Sequence, residues 1–539
     1  MKKLILFTLF SFILMACGEL DIQPRNGLTE NVAFENFEGI QSYIGKVYSS
    51  LTHSGQEGPA GDPDLSIIPD EGFSSYLRVF WKAQELTTDE AIIAWDDNGI
   101  RDLHDHNWSA SNPFLNALYY RIFYTISLAN DFLRVADEYV PSGLTDEEEQ
   151  DIEFFKAEAR FIRAYAYFHA LDLFRNIPLL TVISSDLPMQ SSPQGVFDFI
   201  ESELNEIESL LLPISAANTE YGRVNQGAVH ALLSRLYLNA EVYTGTARFA
   251  DCITASRNLI NLNQYSLANS YPTLFMGDNH TQTDEIIWAI VHDGEVSQSW
   301  GGTTMIVRGG IGEGMQDDEK NGVPYLNESV RDYGVPNGWN GWRTTRALVD
   351  KFPGASTSTD ASSVDGRAIF FNDGQLLEIA DVADFTHGYA APKFNNIEAS
   401  TGQRALGVDH VSTDFPVFRL AEVYLNLAEA QLRLSGIDGT TLGYLNALRT
   451  RAYEDNSGNV SISDVTLEWL LDERSRELYL EGLRRTDLVR FESFTGSTYL
   501  WPWKGGTNEG KSTPDYLDVF PIPSTELISN PNMVQNTGY

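Results

Sequence analysis

The chain has 539 residues, and 42% of them are apolar, which is enough to bury one large core or two. Its 75 acidic residues against 37 basic ones give a formal net charge of -38. A field of that sign repels nucleic acid and other polyanions, so it excludes them as ligands and favours a neutral one.

The N-terminus has the pattern of a lipoprotein signal peptide. Met1–Lys3 is basic, and the apolar run Leu4–Met15 is too short to span a bilayer. It ends in Leu14–Gly18, a segment that resembles a bacterial lipobox with Cys17 as the acylated residue. We therefore predict a signal peptide over 1–16 and a mature chain over 17–539. The alternative is an ordinary signal peptide with an incidental cysteine.

Cysteine chemistry contributes little else to this chain. It has only two cysteines, so acylation of Cys17 leaves Cys252 without a partner. The sequence therefore predicts neither a disulfide framework nor a cysteine metal site.

Several segments repeat apolar residues at three- and four-residue intervals, which predicts amphipathic helices with small alanine contacts. These segments are Asn116–Glu138, Phe154–Phe174, Val196–Leu212, Gly227–Tyr243, Leu420–Leu434, Leu442–Tyr453 and Leu467–Phe491. Helix pairs of this composition are typical of tetratricopeptide-like packing, although no exact period of about 34 residues fits. We predict a mainly α fold, a degenerate tetratricopeptide-like helical-repeat scaffold.

Three segments rich in Gly, Asp, Asn and Pro lack helical periodicity: Ser54–Gly72, Trp288–Gly341 and Phe352–Asp414. They predict long ordered loops with a few short strands. No linker or low-complexity stretch divides the chain, so we predict a single domain over 17–539. Loops on a rigid scaffold are where functional residues concentrate.

Five segments resemble the SusD/RagB family of nutrient-binding outer-membrane lipoproteins, and most of all its starch-binding founder. They are Arg160–Pro178, Phe415–Ala430, Leu445–Ala452, Glu473–Leu488 and Gln535–Tyr539. The resemblance covers essentially the whole mature chain, with an N-terminal part over about 17–280 and a C-terminal part over about 281–539. It implies a lipid-anchored protein of the outer membrane, facing outward, that works with a SusC-like TonB-dependent transporter.

Charged residues in the C-terminal segment have helical spacing. We expect Arg474, Glu477, Glu481 and Arg484 to form structural charge pairs between helices, with Glu422 or Glu429 among the partners, rather than a reaction centre.

No motif identifies a catalyst. Gly505–Ser512 fits the P-loop expression, but Pro514 stands where the required helix should begin. The alternating acids and histidines of Asp102–His106 favour a solvated turn over a metal site, and no HExxH motif is present. We therefore predict a protein without enzymatic activity, cofactor or metal site. A structural calcium ion is left open.

Tryptophans in Gly- and Asn-rich loops are the strongest indication of a binding site. Indole faces can stack on the C–H groups of a sugar, and neighbouring amides and acids can bond its hydroxyls. In the family's starch-binding founder, three aromatic residues form an arc that follows a glucan helix. The resemblance places Trp95, Trp300 and Trp339 on that arc, Trp300 taking a tyrosine position, and it places Arg78 and Asn98 among the polar ligand-binding residues.

These observations predict a non-catalytic surface protein that captures an α-glucan polysaccharide or its oligomers for uptake. Asp96 and Asp97 depart from the founder, whose loop is less acidic, and this leaves the linkage preference open. One alternative is the same role with a β-glucan such as laminarin. Two further alternatives are a glycoside hydrolase and a protein-interaction module.

Overall fold

Helices account for most of the regular structure. The computed structural model describes residues 29–55, 58, 63–65, 72, 74–213, 220–312, 315 and 333–539, and the predicted lipidation site Cys17 lies outside them. The helices are α1 Glu30–Ala33, α2 Phe37–Ser49, α3 Tyr76–Glu85, α4 Arg101–Asp105, α5 Pro113–Glu138, α6 Asp146–Phe174, α7 Pro193–Ile207, α8 Gln226–Leu238, α9 Ala240–Thr244, α10 Phe249–Asn261, α11 Asn279–Gln282, α12 Gly302–Gly309, α13 Arg346–Val349, α14 Leu420–Leu434, α15 Gly439–Tyr453, α16 Leu467–Leu478, α17 Arg484–Arg490 and α18 Ser524–Ser529.

Strands are few and short, as expected. Those in the described residues are β1 Ala91–Ile93, β2 Ile286–Ile290, β3 Trp342–Thr344 and β4 Phe415–Arg419. β1 pairs antiparallel with β3, and β2 pairs antiparallel with β4. All four strands are buried along their whole length, so each pair joins distant parts of the chain inside the core.

The long helices begin where local capping favours it. The Thr145 hydroxyl accepts from the backbone N–H of Glu148, whose carboxylate accepts from the Thr145 N–H, and this capping box starts α6. At the start of α5, Asn112 caps the backbone amides of Phe114 and Leu115 ahead of Pro113, whose fixed φ suits a first helical position. The two helices therefore begin before the predicted segments Asn116–Glu138 and Phe154–Phe174, at Pro113 and Asp146.

The helices pack in neighbouring pairs around a shared core. α5 lies against α6, α6 against α7, α8 against α10, and α10 against α14. One continuous cluster of buried apolar side chains runs from Ile40 near the start of the described chain to Met533 near its end. The mainly helical prediction is confirmed. The tetratricopeptide-like repeat and the division into domains stay predictions.

Two predicted segments differ most from the structure, besides the predicted helix Gly227–Tyr243, which is divided at Asn239 into α8 and α9. The predicted helix over Leu467–Phe491 is interrupted between α16 and α17, where Leu480 and Gly482 have φ values of 62° and 75°. The backbone N–H groups of these two residues donate to the carboxylates of Glu90 and Glu85, at 3.0 and 2.6 Å. These carboxylates come from a distant part of the chain, so periodicity could not reveal the break.

The second difference is α12, which forms inside the predicted loop Trp288–Gly341. Every residue of α12 is buried, and at eight residues the helix is shorter than the window in which a helical period is recognised. The predicted loop Phe352–Asp414 contains no helix, and strand pairing there is limited to isolated bridges. Most of the predicted loop Ser54–Gly72 lies outside the described residues.

The C-terminal charges form a buried network that joins helices and loops. Arg419 binds Glu477, Glu481 and Glu285 at 2.6, 2.7 and 2.9 Å, and Arg451 bonds Glu285 at 2.6 Å. Burial alone would raise the pKa of Glu477, but the surrounding arginines hold that pKa well below its usual range. Glu477 is therefore ionised among its arginine partners, and the network serves the fold.

The predicted partners of this network are only partly correct. Arg474 does approach Glu429, at 3.8 Å, but its shortest ion pair, at 2.8 Å, is with Asp487. Arg484 pairs with Asp89, and Glu422 pairs with Arg235. Within the described ranges, no helix combines the length and apolar character needed to cross a membrane.

Candidate functional site

Three tryptophans that are far apart in the sequence lie side by side. The ring centroids of Trp95 and Trp339 are 6.3 Å apart, and those of Trp300 and Trp339 are 6.0 Å apart. Successive rings are tilted by 46° and 48°, so the surface they form is faceted rather than flat. All three side chains are half-buried, which leaves part of each indole in contact with solvent. We call Trp95, Trp300 and Trp339 the tryptophan platform.

The pairing of β1 with β3 places the first two members of the platform. Trp95 follows β1 and Trp339 precedes β3, and the Ala94 N–H extends the pairing by donating to the Gly341 carbonyl at 2.8 Å. The Trp95 indole N–H donates to the Trp339 carbonyl at 3.0 Å. A Cβ at Gly341 would lie 2.7 Å from the Trp95 ring, so only glycine allows this approach.

The loop that carries Trp339 is fastened to the end of α12. The Trp339 N–H donates to the Arg308 carbonyl at 2.7 Å, and the Gly341 N–H donates to the Gly309 carbonyl at 2.9 Å. A Cβ at Gly338 would stand 2.1 Å from the Ile311 carbonyl oxygen, which explains a glycine immediately before the tryptophan. The glycines on either side of Trp339 therefore let its backbone lie close to α12 and to Trp95.

Trp300 lies just before α12. The Ser299 hydroxyl donates to the Thr52 carbonyl at 2.8 Å and accepts from the Gly301 N–H at 3.0 Å. A guanidinium N–H of Arg78 donates to the Trp300 carbonyl at 3.0 Å. Contacts from α3 and from the N-terminal part of the chain thus hold the segment that presents this ring.

Cationic side chains line the platform. The Arg78 guanidinium carbon is 6.0 Å from the Trp95 ring centroid and the Lys82 nitrogen is 5.7 Å from it. The Arg308 guanidinium carbon is 5.6 Å from the Trp300 ring and 4.9 Å from the Trp339 ring. The His410 ring centroid lies 4.2 Å from that of Trp300. Burial lowers the pKa of both Arg308 and His410 from their ordinary values.

The five binding residues predicted from the sequence fall in one region. Arg78 holds the Trp300 segment through its hydrogen bond, so its guanidinium is already used within the protein. Asn98 is exposed in the turn that follows Trp95. The sequence analysis does not identify three further residues beside the platform: Arg308, Lys82 and His410. Lys82 and Arg308 sit on helices of only ten and eight residues, too short for the pattern to be recognised, and His410 lies in a long loop.

The acids and histidines of Asp102–His106 have a structural role. Asp102–His106 is not a solvated turn, because it includes most of α4, and His104 and His106 are buried. The imidazole Nε2 of His106 hydrogen-bonds the Thr87 carbonyl at 2.8 Å. Among the residues that the structure describes, no group of three or more His, Cys, Asp or Glu side chains is arranged to hold a metal ion.

Comparisons with known proteins agree with the fold and with the earlier resemblance. One family model, described as the SusD family, matches residues 358–539. The chain is also 34% identical to the starch-binding protein SusD of Bacteroides thetaiotaomicron, over 98% of this chain and 97% of that protein. The chain belongs to the SusD family.

A second model, which describes the family as starch-binding and associated with the outer membrane, matches residues 78–238. A SusD-like protein of Formosa agariphila, P2, is 24% identical over the full length of both chains. The relatives found are named as SusD-like or starch-binding proteins.

Solved structures share the fold at lower identity. A surface glycan-binding protein A from Bacteroides uniformis superposes with a TM-score of 0.68 at 21% identity, over 93% of this chain and 99% of that one. A laminarin-binding SusD-like protein superposes with a TM-score of 0.67 at 21% identity, over 94% of this chain and 100% of that one. At this identity the likeness concerns the fold alone.

Proposed function

We propose that this SusD-family protein binds a neutral glucan on the tryptophan platform and captures it at the outer membrane without making or breaking a bond. The observation that carries the proposal is the platform itself: three partly exposed indoles from three distant segments, held in one continuous surface. An aromatic surface of this extent suits several successive sugar rings, each of which presents C–H groups to an indole face.

The charge of the surroundings fits a neutral ligand. The net charge of -38 opposes a polyanion, and Asp96 and Asp97 stand exposed directly after Trp95. These carboxylates and the exposed amide of Asn98 are suited to accept or donate hydrogen bonds to hydroxyl groups at the rim of the platform. Arg78 contributes by holding the Trp300 segment.

We propose an α-1,4 glucan as the preferred ligand. The relative with 34% identity is named as starch-binding, and the tilt between successive rings favours a chain that curves. A β-glucan such as laminarin is the second candidate, because a structural neighbour is named as laminarin-binding. Either ligand would use the same three rings.

We further propose that a lipid on Cys17 anchors the protein, that its platform faces outward, and that it passes glycan to a SusC-like TonB-dependent transporter. Family membership and the outer-membrane description of the matched model support these proposals. Capture by a tethered protein would raise the local concentration of glycan near such a transporter.

Affinity electrophoresis across neutral polysaccharides tests the proposal. We expect retardation by starch-like glucans, and we expect the triple change of Trp95, Trp300 and Trp339 to Ala to abolish it. Trp469→Ala, at a half-buried tryptophan outside the platform, is the matched control and should leave retardation unchanged. Full retardation by the triple variant would show that glycan binds elsewhere, and release of new reducing ends would move the protein to the hydrolases.

A further inference from the structure

A single buried cation contacts two members of the tryptophan platform. The guanidinium carbon of Arg308 lies 5.6 Å from the ring centroid of Trp300 and 4.9 Å from that of Trp339. Only 4% of Arg308 is exposed, so it approaches the rings from the protein interior. A guanidinium within about 6 Å of an aromatic centroid is attracted by the ring quadrupole. Arg308 therefore interacts with both rings at once.

The Arg308 side chain is itself held by directional bonds. Its Nε donates to the Asn337 carbonyl at 3.2 Å, its Nη1 donates to the Asp409 carbonyl at 2.8 Å, and its Nη2 donates to Asn337 Oδ1. A planar group with three such bonds has a fixed orientation. The two rings therefore contact a guanidinium group whose orientation is fixed by its hydrogen bonds to the surrounding loops.

The same residue also controls the backbone of the central ring, because the Arg308 carbonyl accepts from the Trp339 N–H at 2.7 Å. On the Trp300 side, the His410 ring lies 4.2 Å away, and His410 follows Asp409, which accepts from Arg308. Contacts from Arg308 thus reach both rings and the loop residue next to His410.

We propose that Arg308 is a positioning residue that sets the 48° tilt between Trp300 and Trp339, and through that tilt the shape of glycan that the platform accepts. The proposal rests on the glycan-binding function proposed above. A lysine would keep the charge but would present a point charge on a flexible stem, without the planar fork that makes three bonds. The orientation of the guanidinium, rather than its charge, determines the tilt.

The test compares Arg308→Lys and Arg308→Met with the unchanged protein. Arg163→Lys is the matched control, because Arg163 is about as buried as Arg308 and its guanidinium carbon lies 5.5 Å from the ring centroid of Phe199, outside the platform. The first measurement needs no ligand: circular dichroism from coupled indoles depends on the angle between the rings. We expect both Arg308 variants to change this signal in the wild-type background and to change it less in a Trp300→Ala background. We expect the Arg163 variant to leave it unchanged.

The second measurement is the ratio of affinities for a cyclic α-1,4 glucan and a cellulose oligomer of equal length. We expect this ratio to fall about fivefold in both Arg308 variants, in the range of an altered aromatic contact. Asn337→Ala removes one exposed acceptor of Arg308 and should change both readouts in the same direction by less. It keeps the test informative if the buried variants fold poorly.

The outcomes separate the two proposals. A wild-type dichroism signal and a wild-type affinity ratio in Arg308→Lys would overturn the positioning role. An altered dichroism signal with an unchanged ratio would overturn the link to ligand shape. If the unchanged protein binds neither oligomer, the proposed function fails, whereas a dichroism change that Arg308→Lys produces in the wild-type background and not in a Trp300→Ala background would still establish that Arg308 sets the ring angle.

Discussion

Removal of the central ring should weaken glycan binding more than removal of either outer ring. Trp339 is about 6 Å from both Trp95 and Trp300, so Trp339→Ala interrupts the platform, whereas an outer change only shortens it. If a ring–sugar contact is comparable to an aromatic pair, at about 0.5–1.5 kcal/mol, plus its buried apolar area, the loss is about tenfold or more in affinity. The carbonyl of residue 339 remains to accept from Trp95.

Calorimetry with a linear maltooligosaccharide measures this effect. Asn98→Ala should cost less than the ring changes, because a hydroxyl contact largely exchanges water for protein and contributes about 1 kcal/mol. Trp469→Ala serves as the folding-matched control. The reasoning is refuted if Trp339→Ala binds with the wild-type affinity while its near-ultraviolet dichroism shows a folded protein, or if Asn98→Ala costs more than Trp339→Ala.

The remaining predictions concern anchoring, stability and pH. Cys17→Ala should move the protein from the membrane fraction to the soluble fraction, and a variant that still pellets after a high-salt wash would contradict lipid anchoring. Arg419→Met should lower the free energy of unfolding by about 3–5 kcal/mol in urea, because it leaves buried carboxylates unpaired, whereas Arg346→Met, at an exposed pair, should cost at most about 1 kcal/mol. Burial lowers the pKa of His106 from 6.5 to about 3, so below pH 6.5 the folded state binds fewer protons than the unfolded chain. The contribution of neutral His106 to the free energy of unfolding is therefore complete above pH 6.5 and is lost as the pH falls toward 3. His106→Gln should make the free energy of unfolding less dependent on pH, by up to about 1.4 kcal/mol per pH unit. If urea titrations between pH 6.5 and 4 show the same pH dependence for the variant and the unchanged protein, the prediction is wrong.

The candidate site was partly predictable from residue chemistry. Tryptophans beside glycine and asparagine, together with the family resemblance, identified Trp95, Trp300 and Trp339 as one binding surface, and the structure does bring their rings together. Their glycan-binding role stays a prediction. The sequence could not identify Arg308, because its importance comes from contacts with rings in other segments.

The sequence by itself determined the positions of most long helices. α14 has the predicted bounds Leu420–Leu434, and α6 ends at the predicted Phe174. Apolar periodicity, small contact residues and capping side chains are local signals, so they are readable from one segment at a time.

Tertiary structure alone decided the break between α16 and α17, the formation of α12 and the tilt of the platform rings. At the break, the N–H groups of Leu480 and Gly482 leave the helical pattern because the carboxylates of Glu90 and Glu85, nearly 400 positions away in the chain, accept them. At the platform, the register of β1 on β3 and the bonds of Arg308 set the geometry. These features depend on contacts between distant segments, and such contacts exist only once the core has formed.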